Sequence, residues 1–222
     1  MKLAAALVAL CALAAPLQQG QAGVGQPPPP QQGPRRPAVP AVPAGATDVW
    51  MIDSGHTAAQ FAVKHMLVST VRGTLGPVVG WVRWDGKSAA SIAVHAVIDV
   101  TNINSGSANR DRDLRADDFL LVEKFPDITF VSKRVEGITP ATFKLVGDLT
   151  IRGVTKEVTL DVEGPSRPVQ RNTMGPQVVG ATATTTINRR EFGVKYNALL
   201  EAGGAVVSDE VKITIDIEAR KR

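Results

Sequence analysis

Asp53, Ser54 and His56 supply the residue types of a hydrolytic triad within four consecutive positions. Acid, base and nucleophile must be hydrogen-bonded in line, which a single short turn does not permit. No G-x-S-x-G elbow accompanies them. A zinc site needs three or four ligands converging at about 2.0–2.3 Å, and neither H-x-x-x-H nor C-x-x-C spacing occurs. His56, His65 and His95 therefore read as structural or surface groups, with no catalytic residue and no metal expected. The one dense charge cluster is Arg110, Asp111, Arg115 and Asp118. It either pins a local element in place or offers Arg110 and Arg115 to the polar end of a ligand, since a guanidinium donates several fixed hydrogen bonds. Asn188-Arg189-Arg190 poses the same choice. Gly153 and Gly193 read as turn residues with unusual backbone angles.

The elements that must carry these residues are strands. Val211, Ile213, Ile215 and Ile217 interleave with Lys212, Thr214, Asp216 and Glu218, which places every second side chain on one face. Ile92, Val94, Ala96 and Ile98 repeat the pattern, as do Val158, Leu160 and Val162. Phe143, Leu145, Leu149 and Ile151 form another set, and Phe61 and Val63 a shorter one. Further strands are expected at 71–84, 127–135 and 178–188. Asp85-Gly86 predicts a tight hairpin, and Arg152-Gly153 makes 142–163 a second one. Ser107 to Leu121 breaks the pattern, being rich in charge and free of Gly and Pro. Ser107 there suits a helix N-cap, and Leu114, Phe119 and Leu120 give the excursion an apolar edge.

About eight strands with short connections predict an all-β fold, an eight-stranded antiparallel barrel with one short helical excursion at about 107–121. Closure removes the exposed edges. Eight strands leave an interior either filled by side chains or able to hold one small ligand. Aromatic residues are only 5% of the chain, so the interior is expected to be aliphatic and under-filled. The expected lining is Phe61, Val63, Ile92, Val94, Ile98, Phe119, Phe130, Phe143, Leu145, Leu149, Val158, Leu160, Ile213 and Ile215. A core filled by the same side chains, giving an exported structural or stress-related module, is one alternative, and an enzyme acting on a lipid is a more remote one.

The leader bears on location. Leu3 to Ala15 is a 13-residue apolar run after Lys2, shorter than the ~20 residues of a membrane span and suited to a secretory signal. Residues 1–22 are expected to form that signal, with cleavage after Ala14 or Ala22. Cys11, the only cysteine, lies inside it and follows Leu10, which does not suit lipid attachment. Residues 23–46 are rich in Pro, Gly, Gln and Ala and predict an unstructured spacer, leaving 47–222 as the folded domain. Removing the three leader cations from 25 leaves 22 basic against 21 acidic residues. With no clustered basic face, nucleic-acid binding is not expected.

The segments Ile52-Asp53-Ser54-Gly55-His56-Thr57, Phe61-Ala62-Val63-Lys64-His65-Met66, Ser69-Thr70-Val71-Arg72-Gly73, Asn109-Arg110-Asp111, Phe125-Pro126-Asp127-Ile128-Thr129-Phe130, Gly147 to Lys156 and Ile187 to Gly193 occur in an order and spacing that resembles the YceI-like family of exported bacterial lipid-binding proteins. Asp113 and Leu121 depart from its pattern, where His and Asp are usual. The resemblance implies a lipocalin-like barrel that holds a polyisoprenoid or isoprenoid quinone as its ligand, without catalysis or any other cofactor. It implies a periplasmic or secreted location; separately, the short apolar run predicts no membrane span, and a homodimer is left open as a partner.

Overall fold

The computed structural model describes residues 35, 37–170, 172–200 and 205–222. The expected signal segment and residues 201–204 lie outside them. Ten strand segments follow in chain order: β1 Val49–Ile52, β2 Ala58–His65, β3 Ser69–Gly76, β4 Val78–Arg83, β5 Ala93–Asp99, β6 Asp127–Glu136, β7 Thr142–Ile151, β8 Val154–Glu163, β9 Val178–Asn188 and β10 Val207–Lys221. Among the described residues one α-helix, α1, spans Ala108–Arg115 between β5 and β6. Ser107 occupies the N-cap position in extended backbone but makes no side-chain cap bond.

The ten segments form eight staves. β2 pairs with β3 and β1 with β4, while β1 and β2 both pair with β10. Each of these two staves is one strand broken in the middle, at residues 53–57 and at Pro77. Pro77 cannot donate to a ladder, so the break falls where the backbone bonding must lapse. From β4 the order runs through β5, β6, β7, β8, β9 and β10 and closes on β1, every pair antiparallel. The result is the closed eight-stranded barrel that the alternation predicts.

The 142–163 hairpin forms as expected, with Arg152 at φ 53° and Gly153 at φ 75° in its turn. Asp85-Gly86 also separates two antiparallel partners, β4 and β5, with Arg83 opposite Ala93, but the turn is not a tight one. Asp85 Oδ1 accepts from the amides of Lys87 and Ser88, and a 3-10 turn at Ala89–Ser91 lengthens the connection to residues 84–92. The Asx-Gly pair opens a loop here because the carboxylate captures the following amides.

Inside the barrel one continuous apolar cluster runs through every stave and includes Ile52, Phe61, Leu75, Val94, Phe130, Leu149, Leu160, Ala183 and Ile213. Two glycines let aromatic rings lie flat along the wall. A Cβ on Gly73 would meet Phe61 Cε1 at 2.7 Å, and one on Gly147 would meet Phe130 Cζ at 2.6 Å. At the end away from α1, Trp50 and Trp84 pack with centroids 5.6 Å apart and ring planes tilted by 40°, and Trp50 Nε1 donates to the Trp84 carbonyl. The outer wall carries ion pairs such as Lys133–Asp148, Arg134–Glu157 and Lys144–Asp161. Apolar-in and polar-out is the reverse of a lipid-facing barrel. No described helix is long and apolar enough to cross a membrane.

Residues 37–46, within the expected spacer, lie near the outer wall, where the Ala41 carbonyl accepts from Trp81 Nε1 at 3.1 Å. Arg35 adds a two-pronged contact to Asp127 at 2.6 and 2.8 Å.

Candidate functional site

The barrel encloses two adjoining voids. The deeper, of about 110 Å³, is walled by apolar groups from all eight staves and from Pro165 and by one polar residue, Thr185. The wider, of about 670 Å³, opens toward α1 and mixes apolar wall with polar rim. Leu75, Ile128 and Ile213 line both and so form the neck between them. On β10, Val207, Val211 and Ile213 face the wide void, and Ile213, Ile215 and Ile217 face the deep one. A single alternating strand thus lines the lumen from mouth to floor.

Of the sequence-predicted lining, Ile92, Val94, Ile98, Phe130, Phe143, Leu145, Leu149, Leu160, Ile213 and Ile215 face the deep void. Phe61, Val63 and Phe119 face the wide one. Val158 lines neither void. It packs against the core only in part, opposite Gly147, which offers no side chain to hold it inward. The two rim arginines also separate. Arg110 borders the wide void and donates from Nε and Nη2 to the hydroxyl and carbonyl of Ser105, both at 2.8 Å. Arg115 does not reach it, because Nε and Nη2 are spent on the carbonyls of Thr101 and Ile103 at 2.9 and 2.8 Å. Its side chain latches α1 to the segment before it.

The charge cluster is thus mainly a clasp. Asp111 is buried at the helix start and accepts from the amide and hydroxyl of Ser105. Burial opposes its ionisation, yet these two bonds and the nearby Arg115 and Arg110 hold its carboxyl below the usual range.

Two further arginines do similar work: Arg189, for which the sequence left the same choice open, and Arg152, read there only as part of a turn. Arg152 donates to the carbonyls of Asp117 and Phe119 and to the Asp117 carboxylate. Asp117 is held below the ordinary carboxylate range by Lys195 and then by Arg152. Arg189 donates to the carbonyls of Ser208, Tyr196 and Val207 at 2.9, 2.7 and 3.1 Å, and pairs with Asp209 at 3.0 Å. Burial pushes its guanidinium down from the usual range. The planar fork suits adjacent carbonyls, so three arginines staple three loops around the opening. Their shared signal is invisible in a linear sequence, because the acceptors are backbone atoms.

Other rim residues were also outside the predicted set. His65, Ser69, Asn109, Asp113, Asp118 and Tyr196 border the wide void, and Phe119 stacks on Tyr196 with centroids 4.9 Å apart. Asp113, one of the two positions that depart from the family pattern, is therefore at the rim. Thr185 apart, polar groups are confined to the mouth, and the wall below it is hydrocarbon. Such a site can take one elongated apolar molecule whose polar end stays at the opening.

Asp53, His56 and Glu218 each bring an oxygen or nitrogen to within 4.8 Å of the others, an arrangement their spacing did not suggest. The Arg220 guanidinium contacts the Asp53 carboxylate and lies 3.6 Å from Glu218. A cation is thus already supplied by the chain. The His56 contact at 2.7 Å is the largest cause holding the Asp53 carboxyl down.

A closed antiparallel barrel with an apolar lumen and a polar, arginine-stapled mouth defines the class of this molecule. The model of the YceI-like domain matches residues 50–219, and the chain belongs to that family. A UPF0312 protein of Staphylococcus aureus strain USA300 is 37% identical over 167 residues, covering 75% of this chain and 94% of the relative. The crystal structure of a Campylobacter jejuni YCEI protein aligns with a TM-score of 0.60 at 28% identity, over 72% of this chain and 90% of that one. A polyisoprenoid binding domain from Saccharophagus degradans shares the fold, with a TM-score of 0.57 at 12% identity over 78% of this chain and 98% of that one.

Proposed function

We propose that this protein is a non-enzymatic carrier or reservoir that holds one long apolar lipid of isoprenoid type in its lumen, outside the cytoplasm. The observation that carries the reading is the sharp division of the lumen. Below the neck every lining residue but Thr185 is apolar, whereas the charged and hydroxyl groups ring the mouth. Each buried CH₂ contributes about 0.8 kcal/mol, so a chain of several prenyl units is held by contact area without directional bonds. The Saccharophagus degradans protein described as polyisoprenoid-binding supports the ligand class through the shared fold. The apolar run Leu3 to Ala15 supports export.

Arg110, Asp113 and Tyr196 are the groups placed to meet the ligand's polar end. None of them forms a nucleophile–base pair, which favours binding over turnover. Native mass spectrometry of protein purified from its own host tests the proposal. Release of an apolar species that organic extraction identifies as a prenyl lipid is the expected result. Protein that arrives empty, and that takes up no prenyl alcohol when challenged with one, refutes it.

A further inference from the structure

Beside the mouth, the β2–β3 connection carries the apolar triplet Met66, Leu67 and Val68, exposed by 46%, 66% and 84%. Exposed side chains of this kind in a contiguous patch mark an interaction site. The turn that displays them is strained. The Val68 amide donates to the His65 carbonyl at 3.1 Å, and both central residues lie in the left-handed region, Met66 at φ 51° and Leu67 at φ 60°. Asn-Gly is the relaxed choice for such a turn, and a bulky pair there is held at a cost that folding alone does not require.

The patch extends sideways. The Met66 amide donates to the Val206 carbonyl at 2.7 Å and the Val206 amide to that of Ala198, which brings in Leu199, exposed by 70%. It also runs directly into the cavity, since His65 and Ser69, the residues flanking the triplet, line the wide void.

We propose that this tip docks the barrel on a lipid bilayer bearing anionic headgroups, so that the mouth meets the membrane in which an apolar ligand resides. The proposal rests on the lipid-binding reading of the cavity. Charge complementarity selects the occupant. The hairpin Ala58–Gly76 carries Lys64, His65 and Arg72 and no carboxylate, and the whole stretch between Asp53 and Asp85 is free of Asp and Glu. On the adjoining strand, Asp209 is committed to Arg189 and Arg190 at 3.0 and 2.8 Å, and Glu210 is the one exposed carboxylate beside it. Apolar tips flanked by basic side chains insert at the headgroup boundary and gain from anionic lipid.

The double variant Met66→Asn/Leu67→Gly removes two of the three apolar side chains of the tip while relaxing its turn, so it folds at least as well as the parent. Two readouts separate the claims. Flotation of the full chain with phosphatidylcholine vesicles, with and without phosphatidylglycerol, reads docking with no ligand involved. Uptake of a pyrene-tagged geranylgeraniol, presented from vesicles or from detergent micelles, reads transfer and cavity binding. The parent floats with the anionic vesicles, and added salt weakens it. The variant loses flotation and takes up the probe from vesicles about tenfold more slowly or worse, with micellar uptake changed less than about twofold. Lys64→Gln/Arg72→Gln weakens flotation without abolishing it. Equal flotation of parent and variant overturns the proposal. So does a parent dimer, seen by analytical ultracentrifugation, that the variant dissolves while vesicle binding stands, because the patch then belongs to a second copy. Failure of the parent to take up the probe even from micelles refutes the cavity reading, and docking for ligand exchange falls with it.

Discussion

Ala183→Leu separates a ligand-holding lumen from an ordinary core. Ala183 lies on β9 between Val162 and Ile215 of the neighbouring strands and faces the deep void of about 110 Å³. Filling that void recovers up to about 2.6 kcal/mol at ~24 cal/mol per Å³. Three added carbons at about 0.8 kcal/mol each give ~2.4 kcal/mol by transfer, so the two routes agree. The ligand loses what the protein gains, because those carbons occupy space that the end of a prenyl chain would fill. The same 2.4 kcal/mol weakens binding about fiftyfold. Chemical denaturation of delipidated protein reads the first effect, and titration with a pyrene-tagged prenyl alcohol reads the second. Ala62→Leu, which adds the same carbons on β2 opposite Arg72 and Lys212, leaves affinity unchanged. Refutation is a variant that is destabilised yet binds as tightly as the parent: the deep void then holds no ligand.

Three further outcomes follow from the same geometry. Gly147→Ala sets a Cβ 2.6 Å from Phe130 Cζ and 2.5 Å from the Val131 carbonyl, which costs about 1–3 kcal/mol and tips the ring into the lumen. Lower denaturation midpoint and weaker lipid binding should appear together. Arg189→Met strips donors from three carbonyls and leaves Asp209 with Arg190 alone, at a cost of about 3 kcal/mol or more. Hydrogen exchange should quicken in the segment around Tyr196 and Val207 while the Trp50 end stays protected. Burial holds His95 below its usual pKa of about 6.5. Its neutral form is favoured by folding, so that contribution is complete above pH ~6.5 and is lost as pH falls through the lowered value. Thermal melts of His95→Gln should show a flatter decline than the parent between pH 7 and 5. Asp53, Asp111 and Asp117, all shifted down, add a separate loss that begins near pH 4.

How much could be read from the chain depended on the range of the interaction. Strand positions follow from local alternation, so Val211 to Ile217 and the 142–163 hairpin were legible residue by residue. The lumen was legible because inward parity is a local property, and Val158 escaped only because its opposite residue, Gly147, has no side chain. The two broken staves were harder. Nothing local in residues 53–57 states that β1 and β2 share one partner, β10. The mouth was least legible. Arg152 and Arg189 act through backbone carbonyls 7 to 35 positions away, and no residue pattern encodes those acceptors. Arg115 looked equivalent to Arg110 in sequence, but five residues carry it about 140° around α1, which aims it at Thr101 and Ile103 and away from the opening.

If the two voids act as one channel joined at Leu75, Ile128 and Ile213, a crystal structure of the lipid-loaded protein will show one continuous hydrocarbon chain running from Arg110 and Tyr196 past that neck to Ile217. A lumen in which those three side chains interlock with nothing beyond them, or a lipid seated on the outer wall, would contradict it.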